Sequence, residues 1–266
     1  MPGEIAPEFS FPRSMGFREG ISSVHTSRTM MLEELTLVFE QIDPSATIND
    51  YQDAIIEKNV LGKPTRSTRS KTSQRLVEEY SLDKKFPVFR LLRYFWALDK
   101  QNRPMLAFLA AMTRDPLLRD ATPFVISIPL GNTLTSVNVA DFLAGKYPGR
   151  FKTTTLISTA QNIASSWKQA GYLVKSSPKK RVRITVTPIV VAYALILGYL
   201  CGLRGKMLLD TPWIRCLDRT PSEITELVSE ASRQGWLIFK SSGSVCEILF
   251  PNLLNPQEEQ ALHESN

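Results

Sequence analysis

Apolar residues recur at spacings of three and four through most of the chain, the period of a helix with one buried face. Residues 28–42 put Leu32, Leu35, Val38, Phe39 and Ile42 on one side, with Thr26 or Ser27 as cap. A second helix is predicted over 48–58. After the break at Gly62-Lys63-Pro64, a third over 67–80 buries Leu76, Val77 and Tyr80. Residues 87–98 and 104–114 read as core helices, each opened by a proline whose missing N–H costs nothing in a first turn. Residues 115–130 fit no single pattern.

Further on, a short helix over 136–143 leads through a Gly/Pro turn into a longer one, about Thr153–Ala170, capped by a threonine of the run 153–155. Its stripe is Leu156, Ile157, Ala160, Ile163, Ala164, Trp167 and Ala170, and Gly171 closes it. Two β-rich runs follow, 172–174 and 182–187, joined by Lys-Ser-Ser-Pro-Lys-Lys-Arg. Helix, turn, helix and a hairpin with a basic tip is the layout of a winged helix. It then recurs: helices over 188–203 and 204–217, a third opened by Thr220-Pro221, and a hairpin from 236–239 and 245–250 around a Ser-Ser-Gly-Ser turn.

The expected fold is therefore mainly α, a helical bundle with helix-turn-helix and winged-helix units and short β-hairpin wings. The expected division is a partly disordered segment 1–27, a helical domain 28–130 with a helix-turn-helix-like element, a winged-helix unit 131–187, a second such unit 188–252, and a frayed polar tail 253–266.

Charge changes the picture in one place. Of the 266 residues, those from Phe142 to Leu209 include eleven lysines and arginines and no carboxylate, whereas the whole chain carries only +6. A single-sign block of this size is the footprint of a polyanion site. The predicted helix 153–170 turns Thr154, Thr155, Ser158, Thr159, Gln161, Asn162, Ser165 and Lys168 outward, short polar groups that can approach base edges. Lys152, Lys179, Lys180, Arg181 and Arg183 are placed to meet phosphate. A smaller acid-free block holds Lys63, Arg66, Arg69, Lys71 and Arg75, where helix-opening N–H groups add to the cations. The second hairpin unit exposes Glu223, Glu226 and Glu230 and reads as structural or protein-contacting.

Other chemistry is sparse. The two histidines, His25 and His263, lie near the ends, which predicts neither a Ser/His/Asp triad nor a His-rich metal site. There is no phosphate-cradling glycine loop, and no cofactor is expected. The three cysteines form no CxxC pair and read as free thiols of a reducing compartment. No apolar leader is visible in residues 1–30. The uncharged run Ile184–Leu203 is interrupted by Pro188. Its remaining helix of about 22 Å falls short of the roughly 30 Å of a bilayer core, so it reads as a buried core helix.

Two segments, AIIEKNVLGKPTRSTRSKTSQRL from Ala54 to Leu76 and the stretch Gln161–Asp218 with Val-Thr-Pro, Gly-Tyr-Leu and Leu-Arg-Gly between Val186 and Gly205, resemble the BrxA family of bacterial BREX phage-defence systems. The resemblance implies a cytoplasmic, non-enzymatic protein that binds double-stranded DNA and works beside a methyltransferase, an ATPase and a phosphatase-like protein. The alternative is an interaction adaptor whose basic face docks an acidic partner.

Overall fold

The computed structural model describes residues 11–174, 176–243 and 245–264, with side chains described as far as 262. The fold is mainly helical, with a small two-stranded antiparallel hairpin. Twelve α-helices are described: α1 (Leu32–Gln41), α2 (Ile48–Ile56), α3 (Arg66–Tyr80), α4 (Pro87–Leu98), α5 (Arg103–Arg114), α6 (Pro116–Ser127), α7 (Ser136–Lys146), α8 (Thr153–Gln169), α9 (Pro188–Leu200), α10 (Pro212–Arg215), α11 (Pro221–Arg233) and α12 (Pro256–Glu264). Strands β1 (Ile238–Ser242) and β2 (Val245–Leu249) pair from Ile238 opposite Leu249 to Ser242 opposite Val245.

Helix starts follow local chemistry. Thr47, Thr135 and Thr220 each accept the N–H three residues on, and Asp50, Asn138 and Glu223 reach back to complete capping boxes. Asp115 caps α6, which continues through Pro123, so the ambiguous stretch 115–130 is a helix to Ser127.

The centre of the molecule is α9. Every residue from Val190 to Leu200 is buried, with Tyr193 against Phe95 of α4 at 5.4 Å between ring centres. Its 13 residues span about 20 Å. No helix among the described residues is long and apolar enough to cross a membrane.

Four expectations change. Residues 1–10 of the supposed disordered segment lie outside the described residues, but residues 11–27 are anchored: Met15, Phe17, Val24 and His25 are buried, and Ser23 caps a 3₁₀ turn over Val24–Thr26. Helix α1 consequently begins only at Leu32, behind Met31 in a left-handed conformation, and neither Thr26 nor Ser27 caps it. The stretch 204–217 is not one helix: Gly205, at positive φ, and Pro212 divide it into a 3₁₀ segment Gly205–Asp210 and the short α10. The tail after Pro251 is tied down by buried Leu253 and Leu262 and by Arg90, which bonds Glu258 at 2.5 Å.

The first expected hairpin is reduced to bridges. Val174 N–H donates to Lys180 O (2.9 Å) and Val182 N–H to Tyr172 O (2.8 Å), and residues 183–187 continue without a strand partner. On the other side, Arg181 N–H donates to Asn132 O (2.8 Å) and Leu134 N–H to Lys179 O (3.1 Å). Three extended segments thus lie side by side in the order 131–134, 179–182, 172–174, with α7 and α8 inserted between the first and the last.

Candidate nucleic-acid interface

The buried stripe of α8 is Thr159, Ala160, Ile163, Ala164, Ser166 and Trp167. Trp167 packs edge-on against Phe108 (4.6 Å) and Tyr172 (4.4 Å), which fixes the helix rotation. Thr154 and Gln161 face outward, Ser158, Ser165 and Lys168 lie half-buried on the same side, and no carboxylate occurs on the helix. Ile157, expected inside, is 47% exposed on this face.

The neighbouring face is covered. The 3₁₀ turn over Val24–Thr26 lies on α8. Asn162 donates to His25 O (2.9 Å), and Thr159 is fully buried with its hydroxyl on Thr155 O. Of the residues expected to point outward, Thr159 is therefore internal and Asn162 is committed to the protein. No threonine caps α8; Lys152 holds the cap position without a side-chain bond to the first-turn N–H groups.

The same turn holds a buried polar network that the terminal position of His25 concealed. His25 Nδ1 lies 2.9 Å from Asp115 Oδ2, and Nε2 lies 2.8 Å from Ser166 Oγ. This is a Ser/His/Asp arrangement, which the terminal position of His25 argued against, but all three residues are fully buried. Ser166 Oγ also accepts the Met30 N–H (2.9 Å) and donates to Asn162 O (3.0 Å), so it is engaged in holding segments together. Burial raises the Asp115 pKa, but the His25 charge and the bonds from His25, Leu118 and Ser23 outweigh it and hold the carboxyl at about 2.

The acid-free block of the sequence does not remain acid-free in space. Lys146 pairs with Asp120 (3.1 Å), Arg181 with Asp218 (2.6 Å) and Arg183 with Glu223 (3.1 Å). Arg181 is 4% exposed and also donates to Ile128 O, so it braces the segment 179–182 from inside instead of facing outward to phosphate. Arg150 stacks over Tyr147 and Phe151, and Arg204 over Tyr199. Lys175 lies outside the described residues. Lys152, Lys168, Lys179, Lys180 and Lys206 make no ion pair among the described residues.

Lys168, Lys179 and Arg183 converge on a groove of about 970 Å³ between the C-terminal half of α8, the wing and the turn before α5, where Gln101 and Asn102 supply amides. A second groove of about 580 Å³ lies between Gln161 and Ser165 of α8 and Ser177, Pro178 and Lys179 of the wing.

The upstream basic block is also partly neutralised. Lys63 pairs with Glu34 (2.9 Å), Arg66 with Glu57 (2.5 Å) and Arg75 with Glu78 (2.5 Å), and Arg69 reaches Glu57 O. Lys71 stands exposed with Ser67, Ser70 and Gln74 on the outer face of α3.

No curated protein matches the chain. The family model that does match ends where the acid-free block begins, so α8 and the extended segments 172–174 and 179–182 lie beyond it. Residues 22–142 match the BrxA family model, and over that stretch the chain is similar to the BrxA family.

Proposed function

We propose that this chain is a non-enzymatic accessory protein of a BREX phage-defence system that binds double-stranded DNA through a winged-helix unit, residues 131–187. The match to the BrxA family model supports the association with BREX, and BrxA is not a known enzyme family. The observation that carries the DNA reading is the carboxylate-free face of α8, with Thr154, Ser158, Gln161, Ser165 and Lys168, running beside a wing that bears Lys179 and Lys180. The extended segments, ordered 131–134, 179–182, 172–174 around α7 and α8, support the winged-helix reading. Gln161 can pair bidentately with adenine, Ile157 can meet a thymine methyl, and the lysines supply phosphate contacts. The outer face of α3 around Lys71 is a second backbone contact.

The remaining partners in this reading are the methyltransferase, ATPase and phosphatase-like components of the same system, met in the cytoplasm. Fluorescence anisotropy with short duplex DNA over a salt series tests it. Absence of duplex binding at low salt by the folded protein overturns it.

An adaptor reading draws on Val137, 65% exposed on α7, and Ile157 on α8. Capture of a defence partner by nuclease-treated protein with no duplex affinity would favour that reading.

A further inference from the structure

Glu79 of α3 points both carboxylate oxygens into the protein interior. The residue is fully buried, and neither oxygen has a hydrogen-bond partner. Oε1 lies 3.9 Å from His25 Nδ1, too far for a hydrogen bond. Asp115 completes the group, and one donor atom from each of the three residues falls within 4.8 Å of the others. A buried carboxylate left unpaired is costly, and a proton removes its charge but leaves the new O–H without an acceptor. A cation between the three donors satisfies all of them.

We propose that His25 Nδ1, Glu79 and Asp115 bind one divalent first-row transition cation, with Zn²⁺ the best fit to one imidazole and two carboxylates. The charge closes: a neutral imidazole, two carboxylates and M²⁺ sum to zero, so no net charge is buried. The cation takes the place of the proton between Nδ1 and Asp115 Oδ2.

The surrounding bonds fit this arrangement. A metal on Nδ1 leaves the proton on Nε2, where it donates to Ser166 Oγ at 2.8 Å, and the Ser166 hydroxyl in turn donates to Asn162 O. A doubly protonated ring would serve Asp115 and Ser166 equally, but at 3.9 Å it makes no hydrogen bond to Glu79, which a cation reaches together with the other two. Asp115 is oriented by Ser23 Oγ and by the Leu118 N–H, as carboxylate ligands commonly are. The three ligands come from the N-terminal segment, α3 and the start of α6, so the ion ties together chain segments about 90 residues apart. Because the site is sealed, the ion enters during folding.

The test uses the full chain without a histidine tag. Elemental analysis of the dialysed protein is expected to show about one equivalent of Zn²⁺. Refolding with ZnCl₂ is expected to raise Tm by about 5 °C or more over refolding with chelator. Glu79→Gln is expected to lose the metal and the Tm difference. X-ray absorption of the wild type is expected to show nitrogen and oxygen ligands and no sulfur, a readout that stands even where the variant fails to fold. Wild type with no retained metal and a Tm indifferent to chelator overturns the proposal. So does sulfur ligation, or a Glu79→Gln variant that keeps its equivalent.

Discussion

His25 Nε2 meets Ser166 Oγ at 2.8 Å across 141 residues of sequence, and that bond seats the N-terminal segment on the helix that presents the polar face. Ser166→Ala leaves both this nitrogen and the Met30 N–H without a partner in a site closed to water. The expected cost is about 2–3 kcal/mol, read as a lower midpoint in urea with an unchanged slope. A loss below about 0.5 kcal/mol, the size of an ordinary surface change, would show that water or a local shift replaces the serine.

Arg181 separates stability from binding. Removing its guanidinium leaves Asp218 and Ile128 O without their partner at the base of the wing. Arg181→Ala is expected to cost about 2–4 kcal/mol. Lys180→Ala, at the exposed position immediately before it, is expected to leave Tm within about 2 °C, consistent with a surface change of under about 0.5 kcal/mol. Thermal denaturation of the two variants side by side checks this. Equal Tm losses would contradict the buried placement of Arg181.

Local chemistry made most of the helices legible. The stripe Ala160, Ile163, Ala164 and Trp167 set the buried side of α8, and Thr220-Pro221 marked the start of α11. Pairing between distant segments was not legible. Nothing near Asn162 announces that its amide bonds His25 O, because that turn is more than 130 residues away. The run of cations from Lys146 to Arg183 looked uniform because its counter-charges, Asp120, Asp218 and Glu223, lie outside the run. Ile157 lies three residues after Thr154 and four before Gln161, so it falls at the edge of the stripe that these outward polar residues define. The buried acid–base cluster had no sequence signature, since His25, Glu79 and Asp115 carry no common spacing.

Gly198 marks the tightest packing in the centre of the fold. A Cβ there would lie 2.7 Å from Thr211 Cγ2 and 3.2 Å from Leu208 Cδ2. Thr211 cannot readily give way, since it is buried and its hydroxyl accepts the Ile214 N–H at the start of α10. Gly198→Ala gains about 1 kcal/mol of helix propensity but loses about 1–3 kcal/mol to overpacking. Net destabilisation is expected, with the Thr211→Ser, Gly198→Ala double variant recovering part of it because the Cγ2 methyl is gone. A stabilised single variant would refute the close approach of α9 to the turn before α10.

The DNA reading makes a prediction about slope as well as affinity. If the polar face of α8, the wing and α3 together meet about six phosphates, log K should fall against log salt with a slope near −5. Lys168, Lys179 and Lys180 make no ion pair among the described residues, and the first two line one groove beside α8. Changing all three to alanine is expected to flatten the slope by about 2–3, near 0.9 per lost contact, while Tm stays within a few degrees. Gln161→Ala should leave the slope unchanged and instead reduce any preference among duplex sequences, because an amide on a base edge releases no counterion. A triple variant that keeps the full slope would move the phosphate contacts off the wing and onto α3, where Lys71→Ala would then carry the effect.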